Sequence, residues 1–278
     1  MKHFAILGYP LGHTLSPQLH RLLAKEMGEE IDYQIQQIPP EQLDGQLDAL
    51  FSLDGFNITI PYKVRIMDSL DVVDRTAQNH GAVNVVGHLA DGRKCGYNTD
   101  CIGFVRTMQA HGVTIGGRAC VLGAGGVGRM FATECALRGC EVTMAVRSGS
   151  MEKAQPVREH ILSVAPQAKV QIVDIESLNE GKCAFDLMIN ATPVGMFPKM
   201  DASPVQPTAL QEVQTLFDCI YNPRVTKLMQ FGEEAGCKVV GGLEMLVWQA
   251  AAAQEIWFGR QFTDEQVNRV TEQLQNTL

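Results

Sequence analysis

The apolar positions of this chain follow two rhythms. From about residue 119 to 242 short apolar runs recur, each closed by turn or polar residues: RACVLGAGGVG, EVTMAVR, KVQIVDI, FDLMINAT, TLFDCIYN and KVVGG. Between several of them lie segments with helical spacing, such as Val127 to Arg138. Strand alternating with helix at this pitch predicts βαβ units and a parallel sheet covered on both faces. Six such strands make a complete doubly wound dinucleotide-binding domain.

The first hundred residues alternate less regularly. HFAILGYPLGH predicts a strand meeting a glycine turn, and further strands are predicted at 32–38, 55–60 and 82–89. SPQLHRLLAKEM predicts a helix over 16–27, with Ser16 as N-cap, Pro17 at the first helical position and Gly28 as the stop. Two more helices are predicted over 243–258 and 264–278. Thr263 and Gln266 fit a capping box at the second, and Val267, Val270 and Leu274 form its apolar stripe. The expected fold class is therefore α/β. An N-terminal α/β domain spans 1–102, a doubly wound (Rossmann) domain spans 103–242, and the helices of 243–278 pack back on the first domain.

Composition then narrows the partners. With 278 residues, 45% apolar and 19% charged, the chain has the make-up of an ordinary globular protein. A net charge of −8 argues against nucleic-acid or anionic-membrane partners, which select a basic face. No apolar run reaches membrane-spanning length, and MKHFAILGYP lacks a signal peptide's apolar core, so a cytoplasmic location is expected. The eight cysteines are scattered, with no CxxC and no histidine at zinc spacing, and read as reduced core thiols. His13 and His20 lie seven apart with no acid cluster nearby, so no metal site is expected.

Gly123-Ala124-Gly125-Gly126-Val127-Gly128 follows an apolar strand and opens a helix, the context a GxGxxG fingerprint requires. Gly123 permits the tight turn, Gly125 lets the backbone approach a pyrophosphate, and Gly128 lets the helix pack on the strand. An NAD site usually carries an acid about 20 residues past the first glycine. Here that place reads Ala145-Val146-Arg147-Ser148. Arg147 can fork onto a 2′-phosphate, with Ser148 or Ser150 adding a hydroxyl, so NADP is the expected cofactor.

Hydride chemistry needs a second domain that holds a carbonyl or alcohol against the nicotinamide. Polar groups near predicted strand ends in the first half are Ser16, Thr59, Lys63, Asn84, Asn98 and Asp100. Lys63 follows FNITIPY, a strand stopped by Pro61, and Asp100 ends the segment before the domain junction. A lysine and an aspartate at one cleft would form an acid/base pair, the carboxylate orienting the ammonium.

GYPLGHTLSPQLH, NITIPYK, GAVN, GYNTDCIGF, GAGGVG, INATPVGM, DCIYNPRVTKLM and GGLEMLVWQAA resemble, in order, the motif series of the shikimate dehydrogenase family. The series runs from residue 8 to about 252 and so covers nearly the whole chain. The resemblance implies an NADP-dependent enzyme that reversibly reduces 3-dehydroshikimate to shikimate, a step of aromatic amino acid biosynthesis. It implies Lys63 and Asp100 as the catalytic pair and Thr59, Asn84 and Gln249 as polyol ligands. Thr14 and Ser16, with Tyr221, would hold the substrate carboxylate. Arg147 would take the adenine side of the cofactor, and Asn190, Thr192, Gly242 and Met245 would line its nicotinamide half. The helix at Ser16 adds a physical reason, since unpaired amides at its start attract an anion.

Departures from the family pattern are Thr14 where serine is usual, Val85 where threonine is usual, and His80 before GAVN. Val146 replaces an asparagine, and Lys153 is the candidate for a missing second arginine. Two other functions compete with the leading one: a quinate/shikimate dehydrogenase of catabolism using NAD or NADP, and a non-catalytic dinucleotide-sensing regulator. Retention of Lys63, Asp100, Asn84 and Gln249 together argues against the regulator. The expected partner is a small-molecule substrate, and a homodimer is compatible with this reading.

Overall fold

The computed structural model describes residues 1–12, 14–181 and 184–277. His13, named above, and Cys183, one of the eight cysteines, lie outside the described residues. The chain divides into two compact units, Met1–Gly103 with Val247–Leu278, and Phe104–Leu246. The second crossing falls inside a helix, four residues beyond the expected boundary at 242/243.

The first unit is built on a six-stranded mixed sheet: β1 (Lys2–Gly8), β2 (Ile31–Gln37), β3 (Gly55–Ile58), β4 (Val72–Val73), β5 (Val85–His88) and β6 (Lys94–Tyr97). Their order is β2-β1-β3-β5-β6-β4, with β5 antiparallel to both neighbours and the other pairs parallel. Helices α1 (Ser16–Glu26), α2 (Leu43–Phe51) and α3 (Arg75–His80) connect them, and α4 (Thr99–Ala110) leads on from β6 to the second segment of chain. One sheet face buries Phe4, Ile6, Tyr33 and Val85 against Ala24, Ala253 and Trp257. The other buries Ala5, Leu7, Phe56 and Ile58 against Leu43, Leu50, Ile66 and Ala77. A sheet covered on both faces explains why β1 and β3 carry apolar residues in succession.

The second unit holds β7 (Arg118–Leu122), α5 (Gly126–Leu137), β8 (Glu141–Val146), α6 (Met151–Val164), β9 (Val170–Asp174), β10 (Phe185–Asn190), β11 (Val213–Asp218), α7 (Lys227–Glu234) and β12 (Lys238–Gly241). The all-parallel order β12-β11-β10-β7-β8-β9 is the doubly wound arrangement read from the apolar runs. On one face Cys120, Leu122, Met188 and Leu216 pack on Leu178, Leu210 and Leu228. Elsewhere in the unit Phe104, Phe131 and Phe217 meet edge-on, their ring centroids 4.8–5.6 Å apart.

The chain closes with α8 (Leu243–Phe258) and α9 (Asp264–Gln275). The Thr263/Gln266 capping box is formed, and Val267, Val270 and Leu274 are fully buried. Helix α9 lies on α1 of the first unit: Gln266 Nε2 donates to Glu26 O at 2.8 Å, and Arg269 pairs with the Glu26 carboxylate at 2.7 Å. No helix among the described residues is long and apolar enough to cross a membrane.

Candidate active site

Lys63 and Asp100, 37 positions apart, meet in the first unit: Lys63 Nζ donates to Asp100 Oδ2 at 2.7 Å. Their side chains are 26% and 20% exposed, shielded enough to strengthen the pair yet open to a ligand. Each partner is fixed from behind. The Lys63 carbonyl accepts the Val83 N–H at 2.7 Å, which ties the turn after β3 to the GAVN segment that precedes β5. Asp100 lies in the first turn of α4, where Asn98 Oδ1 accepts its N–H at 3.1 Å, while Asn98 Nδ2 reaches Ala82 O. Asn84 Nδ2 donates to Asp100 Oδ1 at 2.8 Å, and its own Oδ1 accepts the Thr99 N–H at 2.7 Å. One carboxylate oxygen thus faces the ammonium and the other an amide, so Asp100 is oriented on both sides.

Thr59 follows β3 directly, half-buried, its N–H bonded to Leu7 O. It has room because residue 8 is glycine: a Cβ there would stand 2.6 Å from the Thr59 methyl. Gln249 is half-buried on α8 within the same unit.

The start of α1 corrects the sequence reading. Ser16 is not the N-cap but the first helical residue; Leu15 occupies the cap position and the helix has no side-chain cap. Thr14 Oγ1 accepts the Ser16 N–H at 3.3 Å and donates to Ser16 Oγ at 3.2 Å. Pro17, which has no N–H to satisfy, lets the first turn begin without a capping side chain. Ser16 therefore keeps its hydroxyl for other partners. The helix stops where the sequence predicts: Gly28 is left-handed (φ 73°), and Glu29 N–H to Ala24 O closes the helix end.

In the second unit an open groove of about 540 Å³ runs along Gly123–Gly125, Ala145–Arg147, Ser150, Lys153, Glu176, Ala191–Val194 and Ser203–Pro204. The three glycines differ in their backbone and surroundings. Gly123 is left-handed (φ 96°), a Cβ on Gly128 would sit 2.3 Å from Gly123 O, and a Cβ on Gly125 would meet nothing within 4 Å. Open backbone at Gly125, with Gly126, Val127 and Gly128 as the first turn of α5, fits a pyrophosphate. At the far end Arg147 is exposed, and Ser150 with Lys153 flanks the start of α6. Of the two candidate serines, Ser148 is bonded to Asp174 and Ser150 lines the groove. A 2′-phosphate therefore fits Arg147, Ser150 and Lys153.

Thr192 lines this groove, but Asn190 does not. Asn190 is completely buried, its amide donating to Asp218 Oδ1 at 3.0 Å and accepting from Thr192 N–H and Oγ1. Through these bonds its side chain shapes the Thr192 loop. Asp218 also accepts from Ile220 N–H and Thr226 Oγ1, and burial pushes its carboxyl up to about 6. Nothing in the sequence marks Asp218 apart from any acid at a strand end. Tyr221, Gly242 and Met245 also belong to the second unit. Burial raises the Tyr221 phenol. A Cβ on Gly242 would stand 2.2 Å from Cys219 O, so its glycine is required by packing.

Known proteins share this combination. The shikimate dehydrogenase substrate binding domain matches residues 6–86, and the shikimate 5′-dehydrogenase C-terminal domain matches 242–266. Shikimate dehydrogenase (NADP(+)) of Thermus thermophilus is 36% identical over 260 residues, 93% of either chain. Shikimate 5-dehydrogenase of Listeria monocytogenes, solved in complex with shikimate and NAD, superposes with a TM-score of 0.89 at 29% identity, covering 98% of this chain and 96% of that one. A Thermus thermophilus shikimate 5-dehydrogenase solved in complex with NADP(H) and shikimate gives 0.85 at 33%, covering 98% and 99%. This chain belongs to the shikimate dehydrogenase family of NADP-dependent oxidoreductases.

Proposed function

We propose that the chain catalyses the reversible reduction of 3-dehydroshikimate to shikimate, with Lys63 and Asp100 as its acid/base pair. The observation that carries this reading is the 2.7 Å Lys63–Asp100 contact, oriented from the far side by Asn84. NADPH, when bound, supplies the hydride. Lys63 Nζ holds the proton that the ring carbonyl oxygen needs as it becomes an alkoxide, and in the reverse direction it takes that proton back. Asp100 aims the ammonium and accepts from a neighbouring ring hydroxyl. Thr59, Asn84 and Gln249 supply neutral polar groups suited to a polyol. Thr14 and Ser16 supply hydroxyls for its carboxylate.

In this reading Met1–Gly103 with the C-terminal helices is the substrate domain, and Phe104–Leu246 carries the dinucleotide through Gly123–Gly128, Arg147 and Thr192. Gly242 and Met245 serve its nicotinamide half. The seven described cysteines are free thiols, which suits the reducing cytoplasm. Purified protein assayed with shikimate or quinate, each with NADP or NAD, tests the proposal. Turnover should be greatest with shikimate and NADP, and absence of turnover in all four pairings would refute it.

A further inference from the structure

The far end of the dinucleotide groove is bounded by two short turns, and one carboxylate reaches both of them. After β8 the chain makes a single 3₁₀ turn, Ser148–Ser150, closed by Ser150 N–H to Arg147 O at 2.7 Å. Met151 then opens α6, which brings Lys153 to the same rim. On the neighbouring strand β9 a longer 3₁₀ turn, Ile175–Glu180, sets Ile175 and Glu176 against the groove. Asp174, the last residue of β9, stands between the two turns, because the parallel register pairs it with Val146. Its Oδ1 accepts the Glu176 N–H at 3.2 Å and caps the longer turn. Its Oδ2 accepts from the Ser148 hydroxyl. The Ser148 hydroxyl and the Glu176 N–H together hold the Asp174 carboxyl below its ordinary range, so it is ionised at neutral pH. The longer turn has further anchors, since Asn179 Oδ1 accepts the Gln206 N–H and Asn179 O accepts from the Thr208 hydroxyl, both at 2.8 Å. Arg147, Ser148 and Gly149 are all exposed, so little packing steadies the shorter turn. The bond from Ser148 to Asp174 ties it down.

We infer that Asp174 is a positioning residue for cofactor selection, holding through Ser148 the turn that presents Arg147 and Ser150 to the 2′-phosphate of NADP. The inference rests on the reading of Arg147, Ser150 and Lys153 as the phosphate site. An untied surface turn samples many arrangements, and a ligand that needs one of them loses affinity in proportion to its rarity. A charge-assisted hydrogen bond to the end of a sheet strand removes that loss before the dinucleotide arrives. The gain falls to NADP, because NAD carries a hydroxyl where the phosphate would be and has no charge for Arg147 to meet. An acid beside a phosphate site would ordinarily repel the ligand, but here each oxygen of Asp174 already faces a donor. The tie also explains why Ser150 lines the groove while Ser148, next to Arg147 in the chain, does not.

Titration of NADP and NAD into Asp174 variants tests this. Asp174→Ala should raise the Kd for NADP roughly 3- to 10-fold, the worth of one hydrogen bond, and leave that for NAD within about twofold. The kcat at saturating NADP and the KM for shikimate should also stay within about twofold, because Asp174 touches neither the reacting carbon nor the substrate. Asp174→Asn should recover NADP affinity to within about twofold, since its carbonyl can cap Glu176 while its amide donates to Ser148. In a double-mutant cycle, Asp174→Ala with Ser148→Ala should be no worse than Asp174→Ala alone. Additive losses would mean that Ser148 serves the phosphate by itself, and would overturn the inference. NADP binding unchanged or tighter in Asp174→Ala would make the acid only a repulsive neighbour, with the same consequence. Equal losses for NADP and NAD would reduce Asp174 to a cap for its own turn and overturn it too. Should Arg147→Ala weaken both dinucleotides equally, the phosphate reading of Arg147 falls and the inference with it. Should Arg147→Ala select against NADP while Asp174→Ala does not, only the tie falls. If Asp174→Ala does not fold, Ser148→Ala breaks the same tie at an exposed position. In that variant without dinucleotide, the Ser150 amide should exchange with solvent roughly 3- to 10-fold faster. An unchanged exchange rate would overturn the tie.

Discussion

The first unit holds its reactive groups in a finished network, whereas the groove of the second is shaped by side chains that are missing. Lys63, Asp100, Asn84 and Thr99 are bonded to one another across three segments of chain. Along the groove the decisive positions are Gly123, Gly125 and Gly128, and the guanidinium of Arg147 stands exposed. On the proposed function, the contrast follows from what each site would do. Proton transfer needs two groups held at hydrogen-bond distance, so rigidity is built in through side chains. A dinucleotide brings its own phosphates and sugars, so the protein offers backbone amides and room. The two sites should therefore fail differently when altered.

The largest effect belongs to the network. Lys63→Ala should lower kcat by roughly 10²- to 10⁴-fold, the worth of a positioned acid/base group, with a much smaller change in KM. Asp100→Asn should approach it, since it keeps the shape and removes the charge. Steady-state kinetics with shikimate and NADP reads both. Near-normal turnover in Lys63→Ala would make the 2.7 Å pair a structural ion pair and erase the contrast between the units.

In the groove, losses should appear in affinity instead. Arg147→Ala should weaken NADP by about 1.5–3 kcal/mol, the worth of a charge-assisted hydrogen bond, and leave NAD almost untouched. Titration of both dinucleotides by fluorescence or calorimetry decides it. Equal weakening would place Arg147 away from the 2′-phosphate and return that role to Lys153 and Ser150.

The two glycines separate folding from binding within one loop. Gly128→Ala drives a methyl to 2.3 Å from Gly123 O. Such overpacking should cost about 1–3 kcal/mol of stability, read by denaturant unfolding. Gly125 has ordinary backbone angles (φ −71°) and nothing within 4 Å of a Cβ. Gly125→Ala should leave stability unchanged while weakening NADP roughly tenfold or more. A stable, weakly binding Gly128 variant would invert these roles.

How far the sequence could be read also differs between the units. All six strands of the parallel sheet were legible as short apolar-rich runs, each closed by turn or polar residues. In the first unit β4 is two residues long, and β6 reads KCGY, so neither has enough apolar residues to register as a strand. Lys63, Asn84 and Asp100 could be picked out because they sit at ends of predicted elements. Asp218 could not, since an acid at a strand end reads the same whether or not buried donors surround it. A Ser-Pro pair at a helix start normally means cap and first residue, which puts Ser16 one position too far out. Only the structure shows that the helix begins at Ser16.

The smallest effects come from two buried titratable groups that sharpen the contrast, because they respond to acid in opposite directions. In the first unit burial pushes His20 down to about 3 from an ordinary 6.5. The folded unit refuses a proton that the unfolded chain accepts, so its stability is complete above pH 6.5 and falls as pH falls. Between about pH 7 and 5 the loss is about 2 kcal/mol at roughly 1.36 kcal/mol per pKa unit. In the second unit burial raises Asp218 from 3.8 to about 6 despite three hydrogen-bond donors around it. Here the folded unit binds a proton that the unfolded chain has already lost, so acidification over the same interval adds stability, about 1 kcal/mol. Global unfolding sums the two and conceals both. Native-state hydrogen exchange at about pH 5 and 7, followed separately in β1–β3 and in β10–β11, resolves them. Slowly exchanging amides of the first unit should lose protection at the lower pH, and His20→Phe should abolish that loss. Those of the second should gain slightly, and Asp218→Asn should abolish the gain. If both units move together in the wild-type chain, the two buried groups do not titrate independently and the units unfold as one.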